Sequence, residues 1–101
     1  MNYLVVIRPE AENDVKEIFS WYEDNRKGLG CDFLLQVEKG VEFIKSNPKA
    51  HPEEYKGARK ILIKRFPYKI VYLLEKDKII VLGVIHGMRN PDRMKNRVEN
   101  A

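Results

Sequence analysis

The chain has 101 residues, 44% of them hydrophobic and 34% charged, with a formal net charge of +4. That length supports one modest core and a single domain over residues 1–101, and that composition excludes a disordered chain. A single cysteine, Cys31, excludes an internal disulfide and a multi-cysteine metal frame, and no apolar run approaches the length of a membrane span.

In chain order, Tyr3-Leu4-Val5-Val6-Ile7 is a β-type run without helical periodicity, ended by Arg8-Pro9. Pro9 suits the first position of a helix, where its missing N–H would go unpaired anyway. Ala11, Val15, Ile18, Phe19 and Tyr22 then recur at the spacing of an amphipathic helix. Acidic Glu10, Glu12 and Asp14 lie at its start and basic Arg26 and Lys27 at its end, complementing the helix dipole. Gly28-Leu29-Gly30 breaks this helix. A second is predicted over roughly Cys31 to Lys45, with a stripe of Leu34, Val37, Val41 and Ile44 and Phe33 alongside, stopped by Asn47-Pro48. The short link makes the two an antiparallel helical hairpin.

Residues 48–57 read as a loop, and three strands follow at roughly Ala58–Arg65, Tyr68–Leu74 and Ile79–His86. The last is almost wholly apolar, as a central strand covered on both faces should be. The tail from Asn90 is polar enough to suggest at most one helical turn. The order β-α-α-β-β-β predicts an α+β fold, with the helical hairpin on one face of a mostly antiparallel sheet.

Charge is segregated along the chain. Residues 1–55 hold 7 Lys/Arg against 11 Asp/Glu, a net −4, whereas residues 56–101 hold 12 against 4, a net +8. The second half makes a field suited to a polyanionic partner, nucleic acid or an acidic protein segment. With no secretory leader expected at the N-terminus, the cytoplasm is the expected compartment.

A two-residue turn at Lys76-Asp77 would set Glu75 opposite Lys78, Lys69 opposite Val84 and Pro67 opposite His86. Lys69, Val71 and Leu73 would then share a face with Ile80, Leu82, Val84 and His86, leaving Lys69 and His86 as diagonal neighbours with Arg89 just beyond. Such a cluster can grip a phosphate, with His86 moving a proton near neutral pH. It can equally be a solvated sheet end, and a slip of one residue would dissolve it. His51 has no partner histidines or cysteines, so a metal role is not expected, and no nucleotide-binding or zinc motif implies a cofactor. Cys31 reads as a packing thiol. Trp21, off the main apolar stripe, is either a docking surface or a partly buried edge residue.

Arg65-Phe66-Pro67-Tyr68-Lys69-Ile70-Val71-Tyr72, followed by Val84-Ile85-His86-Gly87-Met88-Arg89-Asn90-Pro91, resembles the RelE/ParE superfamily of bacterial type II toxins, its ParE branch above all. The resemblance starts at Arg8-Pro9-Glu10-Ala11 and spans nearly the whole chain. It implies a cognate acidic antitoxin that wraps the toxin and through which alone operator DNA is reached. It also implies inhibition of DNA gyrase; the alternative within the superfamily is ribosome-dependent cleavage of mRNA. RelE-type nucleases carry an arginine where this chain has Lys69, a basic residue matching Arg89, and a tyrosine in the tail, whereas the last tyrosine here is Tyr72. The resemblance therefore implies a non-enzymatic toxin, with Lys69, His86 and Arg89 as the catalytic set of the nuclease alternative. Trp21, Arg65, Tyr68, Lys69, His86, Arg89 and Arg93 are the residues expected to touch target or antitoxin. The antitoxin is expected to cover the helical hairpin and approach the basic sheet.

Overall fold

The computed structural model describes residues 3–87 and 91–101. Its elements run β1 (Leu4–Ile7), α1 (Pro9–Asn25), α2 (Leu29–Ser46), β2 (Arg59–Leu62), β3 (Tyr68–Glu75), β4 (Lys78–His86) and α3 (Pro91–Glu99). The sheet order is β1-β4-β3-β2, with β1 parallel to β4 and the other pairings antiparallel. This is the α+β architecture expected from the sequence, with two additions. The tail forms a nine-residue helix rather than a single turn, and β2 stops at Leu62, before the turn in which Arg65 takes a left-handed φ of 72°.

Pro9 begins α1 as expected, and Gly28, at φ 91°, supplies the left-handed turn that reverses the chain into α2. The Glu23 carboxylate accepts from the backbone N–H groups of Gly28 and Gly30, each at 3.0 Å, which gives two donors at the start of α2 a partner. Helix α2 therefore starts two residues before Cys31. Gly30, Phe33, Gln36 and Ile44 form its most buried line, with Leu34, Val37 and Val41 partly buried beside it. Cys31 falls off that line and is exposed, which corrects its reading as a packing thiol.

One face of the sheet holds Ile70, Tyr72, Ile79, Val81 and Val84 against the helical hairpin, with Phe33, Ile44, Ile61, Ile63 and Phe66 completing the core. The opposite face carries Val71, Leu82 and Ile85, covered by Met94 and Val98 of α3 together with Ala58. Strand β4 is thus covered on both sides, as its apolar run requires.

The β3–β4 hairpin turns at Lys76-Asp77, and Glu75 pairs with Lys78 as expected. The register then shifts. Tyr72 pairs with Val81 but Val71 with Gly83, so Leu82 is an extra residue, a β-bulge. Beyond it Lys69 lies opposite Ile85 and Tyr68 opposite His86, which corrects the expected Lys69–Val84 and Pro67–His86 pairings. One inserted residue reverses the alternation of everything after it.

Candidate binding groove between α1 and β4

Strand β1 reaches only to Val81 of β4, where Arg8 N–H donates to the Val81 carbonyl at 3.0 Å. Past that point, among the described residues, the β4 edge has no neighbouring strand, and side chains take over some of its backbone groups. Asp14 Oδ2 accepts from Val84 N–H at 3.0 Å, while Arg97 Nη1 donates to the Leu82 carbonyl at 2.8 Å. Arg97 and Asp14 also join each other through two hydrogen bonds, of 2.7 and 3.1 Å. This bidentate pair ties α1, β4 and α3 into one unit. The hydrogen bond to Asp14 raises the Arg97 pKa above its ordinary value, against the opposing effect of burial.

Sequence reading missed both residues. The available signal was a carboxylate on the apolar stripe of α1, where Asp14 stands one turn after Ala11. A buried carboxylate there requires a partner.

Beside this junction lies a groove of about 400 Å³ lined by Asp14, Glu17, Ile18, Trp21, Tyr68, Val84, Ile85, His86 and Arg93. Trp21 is 61% exposed and meets Tyr22 edge-on, and Tyr68 bridges Tyr22 to the His86 ring, whose centroid is 5.4 Å away. Four of the residues expected to contact a partner, Trp21, Tyr68, His86 and Arg93, therefore line one groove. The groove offers aromatic surface, the Arg93 guanidinium, the His86 imidazole and the carboxylates of Asp14 and Glu17.

The others lie elsewhere. Arg65 sits at a second groove, 3.7 Å from Asp32 and over the Phe66 ring. Lys69 is on the opposite side of the sheet from His86, beside Val71 and opposite Ile85, and only 5% exposed. Burial lowers its pKa, with nearby Lys60 adding to the effect and Glu54 opposing it. The expected Lys69–His86 cluster is thus not formed, and the bulge at Leu82 is the reason. Arg89 lies outside the described residues. Among the described residues no group of histidine, cysteine and carboxylate side chains is placed to hold a metal ion. No described helix is long and apolar enough to cross a membrane.

Residues 5–91 match the family model of the ParE toxin of the type II toxin–antitoxin system parDE. The chain belongs to the ParE toxin family. This ParE-family chain is 30% identical over 89 residues to Toxin ParE2 of Mycobacterium tuberculosis, covering 87% of the present chain and 85% of that protein. Its fold is similar to a structure of the chromosomal ParDE toxin–antitoxin system from P. aeruginosa, with a TM-score of 0.73 at 17% identity over 83% of this chain and 95% of that one. It is also similar to an E. coli RelE toxin mutant in the free state, with a TM-score of 0.70 at 15% identity over 99% and 98% of the two chains. At those identities the structural likeness establishes the shared fold. As a ParE toxin of a type II system, the chain has an antitoxin for its partner.

Proposed function

We propose that this ParE-family toxin inhibits DNA gyrase, without itself being an enzyme, and is neutralised in the cytoplasm by a cognate acidic antitoxin. The observation that carries this reading is the separation of Lys69 from His86 by the β4 bulge. A nuclease of the RelE kind needs cations and a proton-transfer group converging on one phosphate. Here the buried amine and the imidazole face opposite sides of the sheet, and no tyrosine follows Tyr72 in the chain. The family match and the ParE2 relative support the same side of the choice.

In this reading the groove between α1 and β4 is a contact surface for target or antitoxin. Trp21 and Tyr68 supply rigid aromatic area, Arg93 supplies charge and His86 a polar ring. Arg65, Lys69 and Arg89 then contribute to the positive field of the second half of the chain rather than to a catalytic set. Purified gyrase, relaxed plasmid and toxin in stoichiometric excess test it. Loss of supercoiling with accumulation of cleaved DNA is the expected result, weakened in Trp21→Ala. Unchanged supercoiling, together with toxin-dependent cuts in translated mRNA that vanish in His86→Ala, would replace this reading with the ribosomal one.

A further inference from the structure

Between α2 and β2 lies a separate groove of about 460 Å³. The helix passes the strand so that Asp32 stands 3.7 Å from Arg65 at one end, Gly40 lies against Ile61 and Ile63 in the middle, and Phe43 meets the His51 ring edge-on at the other. The two ends differ in chemistry. Lys64 and Arg65 mark the first, with Lys39 along the helix between, whereas Phe43, 43% exposed, and His51 give the second an aromatic wall. Among the described residues no carboxylate lines the groove, and neither Lys39 nor Lys64 is engaged in an ion pair.

Two polar groups in this lining lack partners. Gln36, one turn after Asp32, is only 8% exposed, and among the described residues no hydrogen bond engages its amide. The buried Nδ1 of His51 has no partner among them either. Buried polar groups are paired as a rule, because an unpaired one keeps the cost of losing water. An acyl chain laid here would leave both unpaired, so the lining favours an occupant with polar groups of its own. A charged group at one end and a flat ring at the other complete the description that the two ends require.

We propose that the α2–β2 groove binds a nucleoside phosphate. The base lies against Phe43 and His51, the phosphates reach Lys39, Lys64 and Arg65, and the Gln36 amide hydrogen-bonds to the phosphate or sugar beside them. Gln36 and Phe43 are two turns apart on α2, about 10 Å, a spacing suited to a ring and an anionic group carried on opposite sides of a ribose. Three cations answered by the single carboxylate of Asp32 suit a ligand with more than one negative charge. The volume falls within the range of about 300–1,000 Å³ usual for small-molecule sites. The site shares no residue with the α1–β4 groove and does not rest on the gyrase reading.

The probe is ADP, titrated into the isotopically labelled full chain and followed by NMR, with adenosine and inorganic pyrophosphate as controls. ADP should move the Gln36 side-chain amide and the backbone amides of Lys39, Phe43 and Lys64, with a Kd below about 1 mM. Adenosine, lacking the charge, and pyrophosphate, lacking the ring, should each bind roughly tenfold more weakly or worse. Gln36→Leu keeps the size of a buried side chain and removes its unpaired amide, so the fold survives, as its own spectrum verifies. Its affinity for ADP should fall roughly tenfold. Phe43→Ala, at an exposed position, should weaken ADP by a similar factor and leave pyrophosphate unchanged. Pyrophosphate binding as tightly as ADP would mean an adventitious ion only, held by surface lysines, and would overturn the proposal. So would ADP binding indifferent to Gln36→Leu or to Phe43→Ala, shifts confined to the α1–β4 groove, or an unmoved spectrum at millimolar ADP.

Discussion

Lys69 is the residue whose environment conflicts most with its chemistry. It occupies an interior position of β3, 5% exposed, beside Val71 and opposite Ile85. A cation there loses hydration, and Lys60 repels it further. Replacing it by a side chain of similar length without charge removes that penalty. Lys69→Met is expected to stabilise the fold near neutral pH by about 1 kcal/mol, read as a higher denaturant midpoint. Burial depresses the folded-state pKa below the ordinary 10.5, so between the two values the unfolded chain binds more protons and stability rises with pH. The advantage of Lys69→Met should therefore shrink as pH climbs toward 10.5. A constant advantage across that range would show that the gain comes from packing instead.

At the scale of elements, the bulge in β4 decides what the sheet can present. The turn at Lys76-Asp77 was legible because a charged pair between two β-rich runs admits few alternatives. The bulge was not, since Val81, Leu82 and Val84 are all apolar and either register buries an acceptable side chain. Gly83 was the one hint. A Cβ on it would sit 2.6 Å from Arg97 Nη1 and 3.2 Å from Asp14 Oδ2, so the glycine is where the ion pair crosses the strand. Helix α3 escaped for a similar reason: among its described side chains Met94 and Val98 are the ones packed on the core, a single i, i+4 pair in a polar stretch. With so little apolar anchorage, α3 depends on Arg97. Asp14→Ala leaves Val84 N–H without its acceptor and the guanidinium with the Leu82 carbonyl but no counter-charge, and should cost roughly 3 kcal/mol. Amide exchange in α3 should accelerate more than in α2. Asp14→Asn, which keeps an acceptor for Val84, should cost less. Equal exchange in both helices would mean that α3 is held by its two apolar side chains alone.

Over the whole molecule, sequence position and spatial position of charge diverge. The cations behind the +8 of residues 56–101 are spread over the fold, among them Lys60, Lys64 and Lys69 at β2 and β3, Lys76 and Lys78 at the β3–β4 turn, and Arg93, Lys95 and Arg97 on α3. An acidic partner approaching this chain meets a cationic rim of Lys39, Lys64 and Arg65 at the α2–β2 groove and, at the α1–β4 groove, Arg93 beside aromatic surface and the carboxylates of Asp14 and Glu17. Charge and apolar surface should act on different stages of binding. Long-range attraction governs encounter and weakens with salt, whereas desolvated aromatic contact governs how long the complex lasts. Arg93→Glu, exposed at the α1–β4 groove, should slow association with an acidic antitoxin at low ionic strength and leave dissociation nearly unchanged. Trp21→Ala should speed dissociation at every salt concentration and leave association nearly unchanged. Surface-immobilised antitoxin and a salt series measure both rates. If the two variants altered the same rate constant in the same way, charge and aromatic surface would not be separable in this groove, and Trp21 would be acting through the position of α1 rather than by contact.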